Sequence, residues 1–278
     1  MKAILVPTAA HDLMSSVLET ALLAARRFDS YIEGFALRPL ITEYVPVDMV
    51  GGLTWTRDDL TDDEAVRRAR QSFDAFMHAR RVRAFAGPDS GLGFGWMENA
   101  AAGDAFVSGH ARIFDVTVLG RPTAGQAEPS MATLEAVLFE SGRPILIAPP
   151  APPRKIGDVI AVAWNGSTET ARTVAFAMPF LRQATRVVVV SVEGGMVPGP
   201  TGEQLVRMLR LSGIAAEAMT VSQERRGTGE AFLRTAGTLG ADLVVKGAYT
   251  QSRLRQMIFG GATSHILAEA TLPVLMAH

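Results

Sequence analysis

The chain alternates between two hydrophobic rhythms. Short runs of consecutive apolar residues are separated by longer stretches in which apolar positions recur every third or fourth residue. In the second half the runs are Val159–Ala163, Arg186–Val192, Ala215–Thr220, Leu243–Lys246 and Val274–Ala277. The stretches between them predict helices near Thr168–Arg182, Gly202–Ser212, Gly229–Leu239 and Gly261–Glu269; in the first of these the apolar stripe is Ala171, Val174, Ala175, Met178 and Leu181. Strands that are nearly continuous in Val, Ile and Leu are covered on both faces, so the alternation predicts a parallel sheet between helices. Right-handed crossovers make such a unit doubly wound.

The first half carries the same punctuation. Ala3-Ile4-Leu5-Val6-Pro7 opens it as Val159-Ile160-Ala161-Val162-Ala163 opens the second. A helix predicted over Ser15–Phe28 follows, with Val17, Leu18, Ala21, Leu22 and Ala25 on one face. Phe114–Gly120 parallels Ala241–Gly247, and Arg143–Ala148 parallels Leu272–Ala277. Four landmarks in one order predict a duplication. The proline-rich run Pro149–Pro153, continuing to Lys155, favours extended geometry and reads as a linker. The expected organisation is two domains, 1–149 and 155–278. The expected fold class is α/β, with two doubly wound, five-stranded, mainly parallel Rossmann-like sheets.

The first half is longer, chiefly around Leu40–Asp63, which holds Tyr44, Pro46, Gly51, Gly52 and Trp55. That segment reads as a surface excursion, or alternatively as a lid or partner-contact loop, before a helix at Asp62–Arg81. The basic run Arg67, Arg68, Arg70, Arg80, Arg81 and Arg83 reads as mostly a solvated helix face.

Composition then removes classes of chemistry. Of 278 residues, 27 are Lys or Arg and 28 Asp or Glu, so the formal net charge is −1. That balance gives no reason to expect nucleic acid or an anionic membrane as partner. The absence of cysteine excludes disulfides, thiol catalysis and cysteine-ligated zinc. The apolar runs fall far short of the roughly 18 residues of a membrane span, and Met1–Pro7 leads directly into a strand rather than a signal peptide. A cytoplasmic protein is expected. The five histidines, His11, His78, His110, His265 and His278, lack metal-ligand spacing. Neither a Gly-x-Ser-x-Gly elbow nor a Walker motif occurs, and Gly227-Thr228-Gly229-Glu230 reads as a helix entry. His11 and Asp12 form either a site pair or turn and cap chemistry.

Ligands of open parallel α/β sheets bind beyond the carboxyl ends of the strands. Three segments of the second half should meet there: Ala163-Trp164-Asn165-Gly166-Ser167, the strand end around Val190–Glu193, and Gly247 to Thr263. Gly247 ends a buried strand where a Cβ would obstruct a ligand or a turn. Ser252, Arg253 and Arg255 add donors. Gly260-Gly261 opens a helix whose exposed N–H groups and positive end suit an anion, with Ala262 and the Thr263 hydroxyl in its first turn. The alternative is a tight loop-to-helix entry with solvated arginines. Trp164 fits either base stacking or a core position.

The strand end Val-Val-Lys-Gly-Ala-Tyr (244–249), the Ser-Arg-Leu-Arg loop, the Gly-Gly-Ala-Thr helix entry and the final Leu-Pro-Val-Leu-Met-Ala strand make the chain resemble a tandem universal stress protein, with the adenine nucleotide alpha-hydrolase-like fold. The resemblance implies a stress-response module that binds ATP or ADP, with Mg, and has little or no catalysis: at most a weak ATPase. The family's phosphate motif is Gly, two residues, Gly, nine residues, Gly, then Ser or Thr. Gly247, Thr250, Gly260 and Gly261 keep that spacing, with Thr250 and Gly261 departing from its identities. The family's first-loop aspartate corresponds to Asn165, and the adenosine to a place against Val192. The implied nucleotide site is Ala163, Trp164, Asn165, Val192, Gly247, Tyr249, Thr250, Ser252, Arg253, Gly260, Gly261, Ala262 and Thr263. In the first half, Gly120 to Pro144 spans 24 positions against 26 for Gly247 to Pro273, and the paired glycines are missing. That half is therefore expected to lack nucleotide. The family dimerises through its last strand, so Ile145–Ala148 and Val274–Ala277 are expected at sheet edges, pairing within the chain, and a homodimer is a further partner compatible with it. The alternative function is a nucleotide-free scaffold acting through such pairing.

Overall fold

The computed structural model describes residues 1–38, 59–87, 91–122, 130–223, 227–248 and 261–278. The first half runs β1 (Ala3–Thr8), α1 (Met14–Phe28), β2 (Tyr31–Ala36), α2 (Asp59–Ala79), β3 (Arg83–Ala84), β4 (Gly93–Met97), α3 (Asp104–Ala111), β5 (Val116–Leu119), α4 (Met131–Glu140) and β6 (Ile145–Ile147). The second runs β7 (Val159–Ala163), α5 (Thr168–Gln183), β8 (Arg186–Val192), α6 (Gly202–Leu211), β9 (Ala216–Val221), α7 (Thr228–Thr238), β10 (Leu243–Gly247), α8 (Ala262–Glu269) and β11 (Val274–Ala277). The α/β class and the doubly wound order hold. One difference is the two-residue strand β3, which gives the first half a sixth strand beside β4. It is too short and too exposed to carry a period-two signal. Most of the Leu40–Asp63 segment lies outside the described residues.

All strands join one sheet in the order β3-β4-β2-β1-β5-β6-β11-β10-β7-β8-β9. Within each half the pairs are parallel. The junction is antiparallel, with Val274 opposite Ile147, Leu275 opposite Leu146 and Met276 opposite Ile145. Each face of the sheet is a continuous apolar layer. One contains Val17, Leu22, Phe73, Phe180, Val206 and Leu209 from α1, α2, α5 and α6. The other contains Val107, Leu134, Phe232 and Ile266 from α3, α4, α7 and α8.

The two halves share a fastening. Asp115 takes the backbone N–H groups of Lys2 and Ala3 on one carboxylate oxygen, tying the start of β5 to the start of β1. Asp242 does the same for Asp158 and Val159, at 2.9 and 3.2 Å, at the start of β7. Those hydrogen bonds, despite burial, hold the Asp115 carboxyl below its usual range. Arg27 fastens the halves together. It donates to the carbonyls of Ile156 at 3.0 Å and Gln183 at 2.6 Å, and pairs with Asp158 at 2.9 Å. Beside it Phe28 meets Phe180 edge to face. Among the described residues no helix is long and apolar enough to cross a membrane.

Candidate functional site

A cleft opens at the carboxyl ends of β7, β8 and β10. This is where a doubly wound sheet reverses its strand order, because β7 lies between β10 and β8. Ala163, Val190 and Val192 form its floor, and Phe232 of α7 and Ile266 of α8 form a wall. Trp164 and Asn165 border it from the β7–α5 loop, and Ala262 from the start of α8.

Several expected site residues meet here, and some are already engaged by the fold. Trp164 lines the cleft but is only 5% exposed, and its indole N–H donates to the Pro200 carbonyl at 2.8 Å. It therefore belongs to the core, with one edge reaching the cleft. The Asn165 side-chain oxygen accepts from Ser167 N–H at 3.1 Å and from the Thr170 hydroxyl at 2.8 Å. It shapes the entry into α5, where Ser167 caps the helix by accepting from Thr170 N–H. Gly247 is set by packing: a Cβ there would lie 2.7 Å from the Cα of Thr170. The close approach that requires glycine is therefore that of helix α5. Gly261 and Thr263 open α8, Thr263 being buried. Tyr249, Thr250, Ser252, Arg253 and Gly260 lie outside the described residues, as does Arg255.

The end of α8 facing this region opens on glycine, as does that of α7 at Gly227. Its N-cap is Gly261, with extended backbone and no side chain of its own to cap the first-turn amides. Those amides are the positive end of the helix dipole.

Sequence reasoning missed Lys246. It lies in β10 beside Ala163 of β7 and Met276 of β11, lines the cleft, and is 7% exposed. Its ammonium donates to the Gly247 carbonyl at 2.7 Å. Burial lowers its pKa to about 8, against the opposing pull of the Glu169 carboxylate. Glu169, in the first turn of α5, has a buried Oε2 with no hydrogen-bond partner among the described residues. Its carboxyl is nonetheless held below its usual range: hydrogen bonds from its own backbone, Ser167 and Thr168, with the charge of His278, outweigh the opposing effect of burial. The signal for Lys246 was present in the sequence, as one charge inside a run of buried strand residues. The pair His11 and Asp12 resolves as local turn chemistry, since the His11 Nδ1 accepts from Leu13 N–H at 3.1 Å; partial burial lowers the His11 pKa.

The universal stress protein family model matches residues 158–278. The second half of the chain is similar to that family over its whole length from residue 158. The stress response protein NhaX of Bacillus subtilis is 28% identical over 103 residues, which is 31% of this chain; the chain spans 62% of that relative's length. The crystal structure of a universal stress protein from Archaeoglobus fulgidus matches 99% of this chain and 95% of its own, with a TM-score of 0.73 at 15% identity. A functionally unknown protein from Pseudomonas aeruginosa PAO1 matches 100% of this chain and 92% of its own, with a TM-score of 0.54 at 14% identity. At these identities the structural likeness shows the fold alone. It shows it over both halves, including the first, which the family model leaves unmatched.

Proposed function

We propose that the protein is a stress-response module that binds an adenine nucleotide in its universal stress protein-like second half and does little or no chemistry on it. The observation that carries this reading is the meeting of an apolar cleft with the uncapped N-terminus of α8. The apolar floor of Ala163, Val190 and Val192 suits a planar base, which gains roughly 25 cal/mol per Å² of apolar surface removed from water. The amides of Ala262 and Thr263 suit a phosphate group, because a glycine cap leaves the approach free of a side chain. When bound, a nucleotide would bring its own phosphate charge and its magnesium; the chain supplies the apolar cleft, the helix end and Lys246. The first half is proposed to lack nucleotide, and the setting is proposed to be the cytoplasm.

A second reading is a nucleotide-free scaffold. The antiparallel junction of β6 and β11 favours it, because it places the last strands of the two halves against each other inside one chain. Isothermal calorimetry with ATP, ADP and AMP separates the two. Binding of at least one of them, with nucleotide found in the purified protein by mass spectrometry, supports the first reading. No heat and no thermal shift at millimolar nucleotide overturns it in favour of the scaffold.

A further inference from the structure

Lys246 interrupts a strand that otherwise reads Leu243, Val244 and Val245, all fully buried. The two-stranded register identifies its counterpart in the first half. Lys246 lies opposite Met276 as Leu119 lies opposite Ile147, one step after Val245–Leu275 and Val118–Leu146. Leu119 is a core residue. The fold therefore accepts an apolar side chain at this place, and the lysine is not needed to complete the sheet. An ammonium in a cleft walled by Phe232 and Ile266 carries a desolvation cost that a bound anion would offset.

We propose that Lys246 is the anion anchor of the second-half cleft, which takes a small molecule with an apolar ring and an anionic group, pairs that group with the Lys246 ammonium beside the N-terminus of α8, and takes up a proton as it does so. The proposal rests on the reading that this cleft is a ligand site. It adds the chemical selection made there: a charged nucleotide is preferred to its uncharged nucleoside.

Proton uptake follows from the charges around the amine. With its pKa lowered to about 8, Lys246 is partly neutral in mildly alkaline solution, and a bound anion favours the charged form. The carboxylate acting on it is Glu169 of α5, which in turn feels His278 after β11. The helices packed on its face of the sheet carry Glu230 and Arg234 on α7, and His265 and Glu269 on α8. Affinity for an anion is then full below about pH 8 and declines as pH rises through that value.

The test is calorimetry with magnesium-free ATP and with adenosine, at pH 7.5 and 9.5, in buffers of differing ionisation enthalpy. ATP is expected to bind at least tenfold more tightly than adenosine at pH 7.5. Its affinity should fall about tenfold by pH 9.5, with proton uptake near pH 8.5. Lys246→Met, which restores the apolar character of the Leu119 position, should lose at least tenfold in ATP affinity and all of the pH dependence, with adenosine unchanged and the melting transition intact. Equal binding of ATP and adenosine overturns the proposal, as does ATP binding by Lys246→Met with the wild-type pH profile; either leaves the nucleotide reading standing. No binding of either compound to the wild type overturns both.

Discussion

The two halves of this chain share a frame and differ at one end of it. At the amino ends of the strands they are alike: Asp115 and Asp242 each hold two backbone N–H groups at the start of the neighbouring strand. At the carboxyl ends they are reversed. In the second half, α5 opens on a Ser167 cap with Glu169 in its first turn, α8 opens uncapped on Gly261, and β10 carries Lys246. In the first, α1 opens on Leu13 with no side-chain cap and no acid in its first turn. There α4 is capped by Ser130, which accepts from Thr133 N–H at 3.0 Å, and β5 ends on Leu119. The Thr133 hydroxyl donates at 2.6 Å to Asp104, so the start of α4 already has a carboxylate nearby. The two halves share what builds the sheet. The end where a doubly wound fold binds ligands is where the halves differ, with the side-chain caps exchanged between corresponding helices and Lys246 standing where the first half has Leu119.

The sharpest way to break this comparison is to exchange the residues that differ most. Leu119→Lys puts an ammonium among Leu5, Leu134 and Ile147 in the apolar layer of the first half. It is expected to lower unfolding free energy by about 3–5 kcal/mol, the cost of an uncompensated buried charge. Urea unfolding at pH 7 measures it. A loss below about 1 kcal/mol would mean that the first half can host the charge as the second does, and the contrast would fail.

The reverse exchange should stabilise. In the unfolded chain the Lys246 amine titrates near 10.5, whereas burial holds it at about 8 in the folded protein. Between these values the unfolded chain binds the extra proton, so the contribution of Lys246 to stability rises with pH across that window; below pH 8 its burial is a standing cost. At about 1.4 kcal/mol per pH unit, that cost is on the order of 3 kcal/mol. Lys246→Met should therefore be more stable than the wild type at pH 7, by up to about that amount, and the two should converge toward pH 10.5. Parallel stability curves for the two proteins across pH 7 to 10.5 would refute the assignment.

These contrasts also mark how far the sequence could be read. Element order and the bounds of the second half were legible because buried parallel strands and amphipathic helices leave strong periodic signals; Val159–Ala163, Arg186–Val192 and Val274–Ala277 are strands over those spans. The place of the cleft followed from topology. What each residue does there was less legible, because it depends on contacts distant in sequence. Gly247 reads as a ligand-approach glycine but is needed by Thr170 of α5. Asn165 reads as a ligand acceptor, yet its oxygen turns back onto Ser167 and Thr170. Lys246 was hidden inside a strand assignment, since its meaning depends on the surface that Phe232 and Ile266 bring over it.

The smallest expected effect tests the helix ends directly. Ser130→Ala removes the cap of α4 and should cost about 1 kcal/mol. Gly261→Ser should do the opposite for α8. The backbone there is extended, and among the described residues nothing lies within 4 Å of where a Cβ would stand, so a serine fits and its hydroxyl can accept from the first-turn amides. A gain of roughly 0.3 kcal/mol is expected, since a serine cap exceeds a glycine cap by only a few tenths. Thermal melts of both variants read these changes, and ATP titration of Gly261→Ser reads the consequence. The hydroxyl would occupy the amides that a phosphate is proposed to use, so the variant should be more stable yet bind more weakly. If it gains stability and binds ATP as the wild type does, the phosphate is held elsewhere, and the open end of α8 distinguishes the two halves without serving the ligand.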